Sequence, residues 1–371
     1  MKLALTEDQA LIRATAERVL AEASTSAAVR RAMDSAAGYD ADLWRRIGAE
    51  LGWCALALPE AQGGLGLSAF EQVLLLEQMG RRLACLPYFA TVCLAGQLLA
   101  QAGRESARAR WLPPIAAGQL RATASFEAPL AARRAGDGWQ VSGRIAQVLD
   151  GASADTVFAL ARIEGEGAPA LFAVPADAPG LRRTALQTWD LTRRYAALVF
   201  EDVTLDAAAR VDDPARLAEG LRRAQAYARL SLAAEQLGGA QACLELTLAY
   251  TQNRKQFGRA IASFQAVKHR CAEMMVKIEA TRSMVYGAAA GAAAGAPTAA
   301  LACECDAAKA LASDTYFWCA GEALQLHGGV GFTWDYDPQL HFKRAYAGRH
   351  WLGAPERLRE ALAAHLLEPA P

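Results

Sequence analysis

The sequence carries no surplus of charge. Its 371 residues hold 39 Lys plus Arg against 39 Asp plus Glu, with a pI near 7. That balance argues against nucleic acid or an anionic membrane as a partner, since both select basic faces. The opening Met1-Lys2-Leu3-Ala4-Leu5-Thr6-Glu7-Asp8 puts acids where a signal peptide needs an apolar core. No apolar run reaches membrane-spanning length. The nearest candidate, Gly287 to Ala296, is only Ala and Gly, and Pro297 closes it. Metal-ligand spacing is missing too. Cys54, Cys85, Cys93, Cys243, Cys271, Cys303, Cys305 and Cys319 fall mostly in helical stretches, and Cys303 and Cys305 would point apart on a helix. These observations predict reduced core thiols, no metal site and a cytoplasmic protein. No internal repeat is present.

What remains is a chain long enough for two or three domains, in three compositional blocks. Residues 1–118 read as helices. Thr6 can N-cap the first, and 40–50, 68–83 and 88–101 follow with helical periodicity. Residues 119–212 switch to short β-like runs at 123–126, 139–141, 156–161, 170–174 and 197–200. Asp137-Gly138 and Ala178-Pro179-Gly180 punctuate them, which predicts a small antiparallel sheet domain. Residues 213–371 are helical again. A long helix at 214–252 carries Tyr227, Leu230, Ala234, Leu237, Gln241, Leu244 and Leu248 at alternating spacings of three and four, as a bundle requires. A second helix presents Phe264, Val267, Cys271, Met274, Ile278 and Val285, and a third runs from 298 to 326. The fold class is α+β: helices, a β domain, then a four-helix bundle.

Residues 250–265, Tyr-Thr-Gln-Asn-Arg-Lys-Gln-Phe-Gly-Arg-Ala-Ile-Ala-Ser-Phe-Gln, carry the most information. Gly258 suits a left-handed helix C-cap, and Ile261, Phe264 and Val267 restart a helical period. This predicts helix, tight turn and helix, with a guanidinium and an amide near the corner, groups that suit a phosphate and a purine edge. A capped helical hairpin with an exposed Arg would also explain the stretch. Gln325-Leu326-His327-Gly328-Gly329-Val330-Gly331-Phe332 closes the third helix, and its paired glycines allow backbone amides to approach an anion closely. Pro59-Glu60-Ala61-Gln62-Gly63-Gly64-Leu65-Gly66-Leu67 is by itself a glycine-punctuated loop.

Together these three segments resemble landmarks of the acyl-CoA dehydrogenase flavoproteins, and the resemblance covers essentially the whole chain. It implies FAD as cofactor and an acyl-CoA thioester as substrate. It assigns Arg254, Phe257 and Gln265, with Gln325, Gly328 and Gly329, to an FAD bound mainly by a neighbouring subunit. His327 reads as structural. The family reaction needs a carboxylate to take the α-proton while the β-hydrogen passes as hydride to the flavin.

That carboxylate is missing at both places where relatives carry it. After the glycine motif this chain reads Trp351-Leu352-Gly353-Ala354-Pro355-Glu356, with Leu352 in place of the base. On the long helix it reads Tyr227-Ala228-Arg229-Leu230, with Ala228 at the alternative position. Neither Leu nor Ala accepts a proton. The β domain departs in the same way. Relatives carry a Gly-Ser-Asp segment that holds the flavin and substrate, and a Trp-x-Thr whose Trp covers the flavin and whose Thr bonds its edge. Residues 124–132 here lack Gly-Ser-Asp, and Gln147 and Leu149 supply neither an aromatic platform nor a hydroxyl.

Motifs that reach toward a neighbour's FAD are therefore retained, and motifs that build the chain's own flavin and base site are lost. The resulting expectation is a base-less partner subunit of a heteromeric dehydrogenase acting on bulky acyl-CoA thioesters such as sterol side chains. Two alternatives stay open. One is an active homo-oligomer with a displaced base, for which Glu127, Glu235, Asp335 and Glu356 are the acids to check. The other is a non-redox scaffold on the same fold. Assembly as a dimer or tetramer with an acyl-CoA dehydrogenase chain is expected because the retained contacts need a neighbour, and an electron-transfer flavoprotein is the acceptor that the resemblance implies.

Overall fold

The computed structural model describes residues 4–166 and 169–367. These residues group into two compact units. One comprises residues 32–68 and 85–228, and the other residues 4–31, 69–84 and 229–367.

The first unit is organised by a seven-stranded sheet in the order β1-β4-β2-β3-β7-β6, with β5 pairing to β4. Its strands are β1 (Ala122–Ala124), β2 (Leu130–Ala135), β3 (Gly138–Leu149), β4 (Thr156–Ile163), β5 (Pro169–Pro175), β6 (Leu181–Ala185) and β7 (Tyr195–Leu205). Four pairings are antiparallel, and β4 runs parallel to β1 and β2. β3 and β7 form the long central ladder, with register shifts between Val141 and Gly143 and between Ile145 and Val148. One face buries Trp139, Val141, Ile145, Phe172, Val174, Leu198, Phe200 and Val203. Trp139 meets Phe172 edge-on at 5.2 Å. β2 and β6 were not marked by the apolar runs of the sequence. β2 alternates only briefly and then exposes Arg133 and Arg134, and β6 is an edge strand reading Leu-Arg-Arg-Thr-Ala, which has little need for apolar residues.

Around the sheet lie α3 (Ala41–Arg45), continued by a π-helical turn at Arg46–Glu50, the π-helical Phe89–Gly96 leading into α5 (Gln97–Ala102), and α6 (Glu105–Ala116). Thr91 in the π-helical segment exchanges hydrogen bonds with the backbone of Ala122 at 3.1 Å, which fixes the start of β1.

The second unit is a helical bundle. Its elements are α1 (Glu7–Ala23), α4 (Ala69–Arg81), α8 (Gln265–Ala293), α9 (Thr298–His327), α10 (Pro338–His350) and α11 (Pro355–Leu367), with much of α2 (Ser26–Asp34) and most of α7 (Leu217–Asn253). Thr6 does cap α1, in a capping box with Gln9. On α7 the expected seam is buried at Leu230, Ala234, Leu237 and Leu244, but the helix is buried all round from Leu230 to Ala240. Glycines explain that density. A Cβ on Gly238 would lie 1.8 Å from the Glu77 carbonyl oxygen, and one on Gly80 would lie 2.0 Å from that of Glu235. The α4 and α7 backbones therefore touch, which only glycine permits. Beside this crossing Glu77 is buried with two partners: Arg282 forms an ion pair, and the Tyr286 hydroxyl donates to it at 2.7 Å. A buried carboxylate needs such partners.

No helix among the described residues is long and apolar enough to cross a membrane.

Candidate functional site

The stretch at 250–265 does not run helix, turn, helix. α7 ends at Asn253, and Lys255–Gln256 (β8) pairs antiparallel with Arg259–Ala260 (β9). Phe257 and Gly258 form the two-residue connection with φ of +53° and +79°, the pattern of a type I′ hairpin turn. Gly258 is thus a hairpin residue rather than a helix C-cap. Strands of two residues carry no periodicity, so the sequence could not announce them. A short 3-10 turn at Ile261–Ser263 follows, and α8 starts at Gln265 behind Phe264 as its N-cap.

A phenylalanine at positive φ is strained, because its Cβ crowds the backbone. Phe257 accepts that strain while 91% exposed, so its ring is not there to fill the core. It meets Phe264 edge-on at 6.1 Å, and Arg259 lies over the other ring at 4.1 Å. Arg254 is fixed by its backbone: its N–H donates to the Tyr250 carbonyl, and its carbonyl accepts from Ile261, both at 2.9 Å. Its side chain is exposed and forms no ion pair among the described residues. Gln265 and Gln325 are exposed as well. Gly328 has φ +64° and ψ −148°, a conformation open only to glycine, and a Cβ on Gly328 or Gly329 would meet nothing within 4 Å.

An aromatic cluster that the sequence reading missed joins the two motifs. Tyr250, one turn before Arg254, stacks on His327 at 4.4 Å, and Tyr336 stands edge-on to both at 6.0 and 6.1 Å. His327 is buried, with Nδ1 2.7 Å from the Ala323 carbonyl, and burial lowers its pKa. It is a neutral packing residue that locks the end of α9 to the end of α7, which fits its structural reading.

The two positions expected for a base are both built into packing. Ala228 is fully buried on α7. Leu352 lies in the turn between α10 and α11 at φ +58°, and its carbonyl accepts from Arg229 Nε at 3.0 Å. Arg229 also pairs with Asp306 at 2.7 Å. Lys309 reaches the same turn, donating from Nζ to the Arg349 carbonyl at 2.7 Å and to the Gly353 carbonyl. Among the alternative acids, Glu127 and Asp335 are exposed, and Glu235 is buried 3.7 Å from Arg344. Glu356 is bound to Arg349 at 2.5 Å, and a hydrogen bond from its own backbone N–H, together with that guanidinium, holds its carboxyl below the ordinary range. None of the four combines burial with freedom from a cation, the environment that raises a general base toward neutrality. On β3, Gln147 is exposed, while Leu149 is buried with its carbonyl accepting from the Thr123 hydroxyl at 2.6 Å.

This architecture, a helical N-terminal part, a central sheet and a C-terminal helical bundle, is that of the acyl-CoA dehydrogenase fold. The family profile for the acyl-CoA dehydrogenase C-terminal domain matches residues 220–367, and that for the N-terminal domain matches residues 6–119. The chain belongs to the acyl-CoA dehydrogenase family. Acyl-CoA dehydrogenase IpdE2 of Mycolicibacterium smegmatis is 33% identical over 356 residues, covering 96% of this chain and 98% of that protein. Among solved structures, a chain of the ChsE4-ChsE5 complex from Mycobacterium tuberculosis superposes with a TM-score of 0.90 at 28% identity, over 100% of both chains. The Tcur3481-Tcur3483 steroid ACAD G363A variant gives 0.86 at 30% identity, over 98% of both chains.

Proposed function

We propose that this chain is the base-less partner subunit of a heteromeric acyl-CoA dehydrogenase, completing the FAD site of a catalytic sister chain that oxidises a bulky acyl-CoA thioester. The observation that carries the proposal is the contrast between the two halves of the site. Arg254, Phe257, Gln265 and Gln325 project from the fold without a side-chain hydrogen bond or ion pair to other described residues, and Phe257 is held exposed at a backbone cost. Leu352 and Ala228, by contrast, offer no proton acceptor, and the turn holding Leu352 is tied down by Arg229 and Lys309.

These residues fit an adenosine diphosphate moiety presented from outside the chain. In this reading Arg254 makes a charge-assisted contact to the pyrophosphate, and Phe257 offers an aromatic face. Gln265 and Gln325 provide amides, and the open space around Gly328 and Gly329 leaves backbone free to approach the same group. FAD, when bound, supplies the hydride acceptor for α,β-dehydrogenation. Names of similar proteins support the partner role: one structural neighbour is a ChsE4-ChsE5 complex and another is a two-named steroid ACAD. An electron-transfer flavoprotein remains the proposed electron acceptor.

The test is activity by combination. Acyl-CoA-dependent dye reduction is measured for this chain, for a base-carrying homologue encoded beside it, and for the two co-expressed. Activity is expected with the pair and absent from this chain alone, and replacing the sister's base by Gln should abolish all of it. Turnover by this chain alone would overturn the proposal.

A further inference from the structure

Lys309 is fully buried on α9, yet it forms no ion pair among the described residues. Its amine bridges two backbone carbonyls, Arg349 at 2.7 Å and Gly353, which stand at the two ends of the turn between α10 and α11. The charged groups around it come from four helices. Arg229 faces it from α7, Asp306 and Asp314 from α9, Arg349 from α10, and Glu356 from α11, with Arg359 behind. The acids are already engaged: Asp306 with Arg229 at 2.7 Å, Asp314 with Arg349 at 3.2 Å and Arg359 at 2.8 Å, and Glu356 with Arg349 at 2.5 Å. Three arginines therefore cancel three carboxylates, and no negative charge is left over for an ammonium.

The hydrogen-bond count points the same way. A neutral amine has two N–H donors, which match the two carbonyl acceptors. An ammonium has three donors and would leave one unsatisfied in a dry site.

We propose that Lys309 is a proton-operated latch on residues 349–354, closed as the neutral amine and loosened when the amine takes a proton. Burial drives the Lys309 pKa down from 10.5 to about 7, and the nearby Arg229 guanidinium adds to the lowering. The sign follows from linkage. The unfolded chain, or a locally opened turn, keeps the proton up to a higher pH than the closed turn does. Closure is therefore favoured as pH rises through 7 and is lost on acidification. The turn so controlled is the one that carries Leu352 at positive φ.

The experiment is hydrogen–deuterium exchange of the intact chain, read on peptides spanning residues 346–356 between pH 6 and 8.5 and corrected for intrinsic exchange. With a midpoint near 7, the neutral fraction falls from about 0.9 at pH 8 to about 0.1 at pH 6. Protection of the turn should fall by several-fold over that range, while α4 stays constant. His350 is a second titratable group in this region, so His350→Gln serves as the control and should keep the pH dependence. Lys309→Met, permanently uncharged and unable to donate, should give low and pH-independent protection. If Lys309→Met fails to fold, the wild-type and His350→Gln profiles still decide. Protection that is flat or rises toward acid in wild type, or a pH dependence abolished by His350→Gln, overturns the proposal.

Discussion

Replacing Arg229 by Ala tests whether the turn beneath Leu352 is held by a buried ionic contact. Arg229 donates to the Leu352 carbonyl at 3.0 Å and pairs with Asp306 at 2.7 Å. Asp306 is nine-tenths buried, and burial already holds its carboxyl above the ordinary carboxylate range despite Arg229. Removing the guanidinium strands that carboxylate, and breaking a buried pair from one side costs about 3–5 kcal/mol. The lost contact to the Leu352 carbonyl is the smaller part of the cost, because hydrogen bonds to charged groups are worth about 1.5–3 kcal/mol. The pH dependence carries the diagnostic sign. A carboxyl with a raised folded-state pKa stabilises the fold when protonated, and that contribution is lost as pH rises through the folded value. Without Arg229 the folded value rises further, so the deficit of Arg229→Ala should be largest at neutral pH and shrink toward pH 5. Urea denaturation at the two pH values measures it. The double variant Arg229→Ala with Asp306→Asn should recover much of the loss. A deficit below about 1 kcal/mol, or one equal at both pH values with no recovery in the double variant, would refute the reasoning.

Three further outcomes follow from the same geometry. Arg254→Ala should leave the stability of the chain within about 0.5 kcal/mol, because its side chain is exposed and pairs with no other described residue, yet weaken FAD retention in the two-chain complex by about 1.5–3 kcal/mol in a flavin fluorescence titration. Phe257→Gly should relieve positive-φ strain and raise hairpin stability by up to about 1 kcal/mol while lowering flavin retention. Equal or lower stability, measured by urea denaturation, would count against Phe257 being held under strain. Gly238→Ala should destabilise the bundle by about 3 kcal/mol or more, because the added Cβ collides with the Glu77 carbonyl and the α4 backbone cannot move aside cheaply. A change under 1 kcal/mol in the same assay would show that the two helices are not in rigid contact.

The sequence revealed elements whose physics is local or strictly periodic. The α1 cap at Thr6, the α7 seam through Leu230 and Leu237, and the end of α9 at the glycine motif all emerge where periodicity and capping chemistry placed them. It revealed less where partners are distant. β6 is a polar edge strand, and the parallel pairing of β4 with β1 and β2 depends on chain direction, which a short apolar run does not encode. The hairpin at 255–260 is two residues per strand and left only Phe-Gly as a trace. Within the candidate site, the residues proposed to contact FAD were readable from motifs. The stacking of Tyr250 on His327 and the clamp of Lys309 on the Leu352 turn were not, since they join residues far apart in sequence. A Lys in an otherwise small-residue helical stretch, Ala307-Ala308-Lys309-Ala310, is the one signal that could have flagged the second.

Flavin content tests the central claim most directly. The chain is purified alone and then with a co-expressed base-carrying homologue, and FAD released by denaturation is counted against total protein by absorbance. The account predicts a colourless lone chain and a yellow complex holding about one FAD for each pair of chains. A lone chain that retains about one FAD per molecule through gel filtration would contradict it.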